Sequence, residues 1–211
     1  MNSYYKQKQI IAKVDNDGKV IGEIEKWEAH EKGILHKALT IALIYKRQFV
    51  VQQRRHPAFD RTLDVTSSSH QLFIYGKLQT TEEAVYECLK REWNLEKSDL
   101  KELKNLGSIY YEAKDPKSIY TEHEVCEILM AEVNVEPKPN LDFAYGFSLV
   151  DKQELQNKKS RTYENFAPWV KKMMEEESLN EDDTIEKMVE ISSHPSLLRT
   201  FNFGKHTGKK I

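Results

Sequence analysis

The stretch TEHEVCEILMAEVNV (121–135) decides how this chain is read. The run over 123–135 predicts one long strand, ended by EPKPN. On a strand, residues two apart point to the same face. Glu122 and Glu124 therefore converge, and His123 between them faces the other way. Two carboxylates on one face are either the solvated side of a half-buried strand or part of a cation site. The choice depends on what the rest of the chain brings to them.

Outward from that strand, IIAKV (10–14) and VIGEIE (20–25) are strands joined by DNDGKV, whose Asp-Gly is a turn signal. ALTIALIY (38–45) is a mostly apolar run suited to a buried strand, and FVVQQRR (49–55) returns from KRQ as its hairpin partner. LGSIYYEA (106–113) is a further strand. TTEEAVYECLKREWNL (80–95) is the strongest helix: Thr80 and Glu83 have capping-box spacing, and Ala84, Val85, Cys88, Leu89 and Trp93 share one face. Asp151 to Gln156 reads as a short helix and Asn165 to Glu176 as a longer one, with Pro168 near its first turn. Strands interleaved with two or three helices predict an α/β (α+β) domain.

A chain of 211 residues is enough for one domain with an appended tail. The domain is expected over 1–174. The remainder, 175–211, reads as an acidic helical extension (Ile185, Met188 and Val189 at helical spacing) with a basic, flexible end, GKHTGKKI. A formal net charge of −2 offers no footprint for nucleic acid. Two cysteines, Cys88 and Cys126, make no disulfide framework and suggest a reducing, cytoplasmic setting. No window has the apolar length of a bilayer span, so no membrane partner is expected.

Three histidines can join the two carboxylates. His30 and His36 flank HEKGILH, and His70 ends DVTSSSH (64–70). Three imidazoles with Glu122 and Glu124 suit a divalent ion such as Zn2+, Mn2+ or Mg2+. Each histidine taken alone is more often a hydrogen-bonded or surface residue, and His56, His123, His194 and His206 are weaker candidates. The helix over 80–95 carries Glu82, Glu83, Glu87 and Glu92, with Gly76 six residues before Glu82. That spacing resembles the Nudix signature, whose helix gathers carboxylates to bind Mg2+ on a diphosphate. Aligned on Glu92, however, Cys88 and Arg91 stand where the signature has glutamates and Asn94 where it has glycine. Glu82, Glu83 and Glu87 then read as a solvated face with favourable charge near the helix N-terminus.

From Ile10 to Met174 the chain resembles the type I isopentenyl-diphosphate delta-isomerases, a branch of the Nudix superfamily with its own degenerate signature. The resemblance is carried by KWEAHEKGILHKAL (26–39), VVQQRR (50–55), YYEAKDPKSIYTEHEVCEIL (110–129) and FAPWV (166–170). It implies a Nudix fold, a mixed β-sheet sandwiched between helices. It implies that His30, His36, His70, Glu122 and Glu124 are metal ligands and that Glu124 also exchanges a proton with substrate, assisted by Tyr111. Trp169 falls on the aromatic that faces a carbocation, Lys26 and Arg55 on diphosphate-binding residues, and Glu92 on the ligand of a Mg2+ carried with the diphosphate. The implied partner is a small-molecule diphosphate, and the chain a monomer or homodimer.

Two positions depart from the family. Ser68 stands where the family keeps a cysteine as its second acid/base group, and Cys88 where it often has a diphosphate-binding arginine. Arg61 is a candidate replacement for a basic residue of the family. The expected activity is metal-dependent proton transfer on a small isoprenoid diphosphate. The alternatives are a Nudix hydrolase of a small diphosphate and a diphosphate-binding protein without turnover.

Overall fold

The computed structural model describes residues 2–176. The expected extension beyond Glu176, with Ile185, Met188, Val189, His194 and His206, lies outside the described residues.

The chain runs through β1 (Ile10–Val14), β2 (Val20–Glu25), α1 (Lys26–Lys32), β3 (His36–Tyr45), β4 (Gln48–Arg54), β5 (Leu63–Asp64) and β6 (Ser67–Ser69). A small hairpin of β7 (Phe73–Ile74) and β8 (Lys77–Leu78) leads to α2 (Thr81–Trp93). Next come β9 (Lys104–Lys114), β10 (Thr121–Glu132), β11 (Ala144–Val150), α3 (Lys152–Gln156), α4 (Arg161–Glu164) and α5 (Pro168–Glu175). The main sheet is mixed: β3 pairs antiparallel with β1, β4 and β6, and parallel with β10.

β3 shows why the sheet is buried on both sides. Leu39, Ile41 and Leu43 pack with Ala84, Val85, Leu89 and Trp93 of α2. Ala38, Ala42 and Ile44 pack on the other face with Trp169, Val170 and Met173 of α5. A nearly continuous apolar run is what a central strand needs when both its faces are covered. The result is a sheet between helical layers, as expected.

Boundaries differ from the sequence expectation where a local signal is weak. α2 begins on the expected capping box, with Glu83 N donating to Thr80 Oγ1 at 3.2 Å and Thr80 N to Glu83 Oε2 at 2.8 Å. The last helix starts at Pro168 rather than Asn165, because proline has no N–H to give and fits the first helical position. β10 stops at Glu132, three residues early. The β3–β4 turn places Lys46 and Arg47 at φ 49° and 69°, a conformation that favours Asn-Gly. Arg47→Gly should therefore raise stability by about 1 kcal/mol, read as a higher urea midpoint with unchanged m-value.

Candidate metal centre

His30 and His36 are brought together by a helix end and a strand start. α1 ends at Gly33, whose φ of 60° caps the helix through its N–H to Ala29 O. The chain then enters β3 at His36. The parallel register sets Glu124 directly beside His36. Glu122 shares Glu124's face, while His123 points away to Gly33 O and the Tyr110 hydroxyl. β6 ends beside His70.

One ligand atom from each of His30, His36, His70, Glu122 and Glu124 lies within 4.8 Å of the others. His30 Nε2 is 3.0 Å from Glu122, and His36 Nε2 and His70 Nε2 are 3.3 and 3.2 Å from Glu124 Oε1. The far nitrogens are held by backbone: His30 Nδ1 lies 2.6 Å from Lys26 O and His36 Nδ1 2.7 Å from Ile34 O. Each Nδ1–H donates to its carbonyl, which leaves Nε2 with a lone pair turned inward. Both Nε2 atoms are buried and lack a hydrogen bond among the described residues. Lone pairs facing carboxylates in a dry site call for a cation, so this donor set fits a divalent metal ion.

The electrostatics agree. Burial opposes charge on Glu122 and Glu124, yet neighbouring His30 lowers Glu122, and His36 with further hydrogen bonds brings Glu124 down to about 2. His30 is raised in spite of its burial, because Glu122 faces it. A proton there takes the place a metal would occupy. Burial, with Lys26, His36 and His30 nearby, holds His70 well below its ordinary value. The Tyr111 hydroxyl donates to Glu124 Oε2, and burial and Glu124 push it well above the phenol range.

His70, Tyr111, Glu122 and Glu124 line a chamber of about 20 Å3 with Lys26, Arg54, His56, Ser68, Ser69 and Trp169. That is room for roughly one water. Lys26 is pushed down to about 8 by burial. Ser68 and Ser67 point to opposite faces of the sheet, as alternation requires. Ser68 is 2.8 Å from the Thr40 hydroxyl and donates to Asp64, whereas Ser67 donates to Glu92 Oε2 at 2.8 Å. Glu92 is thereby outside the five-residue cluster and also pairs with Arg91 at 2.9 Å.

Arg55 is exposed and donates to Leu141 O. It lines a separate outer cavity of about 240 Å3 with Asn2, Tyr5, His56, Asp60 and Tyr145. Arg54, one residue earlier on the buried side of β4, lines the chamber instead. Sequence reasoning did not single out Arg54 and Asp64; His56, a weaker ligand candidate, lies outside the five-residue cluster. Arg54 Nη1 pairs with Asp64 at 2.8 Å, and its guanidinium carbon lies 4.8 Å from the Trp169 ring centroid. His56 lines both cavities and forms the wall between them. Only the doubled arginine hinted at Arg54.

No family model matches the chain. Among curated proteins, it is 25% identical over 174 residues to an isopentenyl-diphosphate delta-isomerase of Serratia proteamaculans, covering 82% of this chain and 93% of the relative. It is 28% identical over 170 residues to isopentenyl-diphosphate delta-isomerase 1 of Bos taurus, covering 72% and 74%. Among solved structures, it resembles DR0079 from Deinococcus radiodurans with a TM-score of 0.56 at 17% identity, covering 78% of this chain and 98% of that one. A MutT protein from Methanosarcina mazei gives a TM-score of 0.53 at 8% identity, covering 71% and 95%.

Proposed function

Because the chain belongs to the type I isopentenyl-diphosphate isomerase branch of the Nudix superfamily, we propose that it moves a carbon–carbon double bond in a small isoprenoid diphosphate by metal-dependent proton transfer. The observation that carries this reading is that, of the glutamate positions a Nudix hydrolase uses on this helix, α2 keeps only Glu92, with Cys88 and Arg91 at the others. The remaining carboxylates of α2 are exposed, Glu82 paired with Lys97 and Glu83 in the helix cap. The chamber instead holds a carboxylate with a phenol donor, Glu124 and Tyr111, beside a buried indole.

Glu124, ionised at rest, must first take up a proton, which it then gives to the terminal alkene carbon, and Tyr111 supports it by a hydrogen bond. Protonation leaves a tertiary carbocation, which the Trp169 ring stabilises through its quadrupole. Lys26 and Arg54 in the chamber, with Arg55 in the outer cavity beyond His56, supply positive charge for the diphosphate, while Glu92, turned to the Ser67 side of β6 and paired with Arg91, stands apart from them. A Zn2+, Mn2+ or Mg2+ ion held by His30, His36, His70, Glu122 and Glu124 would supply the positive charge that keeps two carboxylates together. His56 is the wall shared by the chamber and the outer cavity, and Tyr5 packs against it with ring centroids 4.7 Å apart.

The test is incubation of the metal-loaded protein with isopentenyl diphosphate in deuterated water, read by mass and phosphorus spectra. The expected result is deuterium in an isomerised diphosphate. Release of phosphate or monophosphate without deuterium would instead favour hydrolysis, and silence with tight binding a non-catalytic role.

A further inference from the structure

Asp64 has no exposed surface, and three side chains donate to it. Arg54 Nη1 lies 2.8 Å and the Ser68 hydroxyl 2.9 Å from Oδ2, and Trp169 Nε1 lies 3.0 Å from Oδ1. All three donors line the chamber, but Asp64 does not. Because the Ser68 proton is committed to Asp64, the Thr40 hydroxyl at 2.8 Å is the donor in the Thr40–Ser68 bond. One Ser68 lone pair remains. Ser68 therefore offers the chamber an acceptor and not an acid.

We propose that Ser68 and Asp64 together accept the proton that leaves the carbocation, with Asp64 as a positioning residue acting through Ser68. This rests on the isomerase reading. Glu124 gives a proton to the terminal carbon, and the alkene pair forms the new C–H bond. On the other side a C–H bond breaks and its pair forms the new double bond. That proton passes to Ser68 Oγ as Ser68 passes its own to Asp64 Oδ2. No electrons are gained or lost; Glu124 ends ionised and Asp64 neutral beside Arg54. Before the next turnover Asp64 returns its proton to Ser68, which releases one to the chamber, while Glu124 takes one up. A tertiary carbocation is so strong an acid that a hydrogen-bonded alcohol backed by a carboxylate suffices as base. The demanding step is protonation of the alkene, which stays with Glu124. The serine thus stands on the side of the reaction where a thiol is least needed.

The test compares Asp64→Asn in the natural background and in a Ser68→Cys background, with Ser68→Ala and Ser68→Ala/Asp64→Asn beside them. Metal content and thermal midpoint serve as checks of folding. Asp64→Asn should lower kcat about 100-fold with Ser68 present and less than about 5-fold in the Ser68→Cys background, since a thiol can take the proton unaided. Ser68→Ala should match Asp64→Asn, and combining them should add nothing. In both, deuterium from solvent should still enter recovered substrate at the terminal carbon, because Glu124 protonates and then takes the proton back. An equal loss in both backgrounds, or full activity of Ser68→Ala, overturns the proposal and leaves the isomerase reading standing. Activity of Ser68→Cys alone, with an inactive natural protein, also overturns it. Absence of product and exchange in every protein overturns the isomerase reading itself and this proposal with it.

Discussion

Stripping the protein with a chelator should lower its thermal midpoint by about 10 °C and abolish turnover. The cluster His30, His36, His70, Glu122 and Glu124 joins α1, β3, β10 and the end of β6, so an ion there binds the folded chain and not the unfolded one. A ligand at about a thousand times its Kd contributes roughly 4 kcal/mol, and a domain of this size shifts by about 2–4 °C per kcal/mol. Removal also leaves Glu122 and Glu124 buried against each other, 4% exposed each. Metal uptake must displace the proton that Glu122 favours on His30. The His30 range is raised, so affinity falls as pH drops through it and is fully present above it. Calorimetric titration in buffers of different ionisation enthalpy reads the released proton. Re-addition of Mn2+ or Zn2+ should restore the midpoint. His36→Ala should remove the metal response altogether.

Glu124→Gln should reduce isomerisation by about 10⁴-fold, the upper end of what a positioned acid supplies. The amide has no proton of suitable acidity to give, and it is a poorer metal ligand. Tyr111→Phe separates these two effects. The phenol donates to Glu124 without belonging to the five-residue cluster, so its loss should leave metal content at the natural level and lower kcat by about 10²-fold. If Tyr111→Phe also emptied the metal site, the phenol's work would be to hold Glu124 as a ligand.

Period and cap made part of the fold and site legible in the sequence. Glu122 and Glu124 converge because strands alternate, α2 starts where Thr80 and Glu83 close a capping box, and the DNDG turn carries Gly18 at φ 75°. α1 was less legible, since seven residues make only two turns and KWEAHEK has little apolar periodicity. β6 is a run of serines, whose strand state comes from pairing with Leu39–Ile41 and not from propensity. β11, AYGFSLV, contains a glycine and is half-exposed, so its pattern is faint. The Arg54–Asp64 pair was illegible for a different reason. Its members lie ten residues apart and meet only because β4 and β5 are neighbours.

The parallel pairing of β10 on β3, with Glu124 opposite His36 and Glu132 opposite Ile44, makes the chemistry a matter of parity. A slip by a single residue would turn Glu122 and Glu124 to the outer side and bring Thr121, His123 and Val125 inward. An inserted alanine is therefore far more harmful between Thr121 and Glu124 than in the Asp115–Tyr120 turn. In the turn it lengthens a surface loop, and in the strand it exchanges odd residues for even ones. An ion spanning His36 and Glu124 would act as a stitch that recognises only one alignment of the two strands, so this site would help to proofread the sheet that builds it.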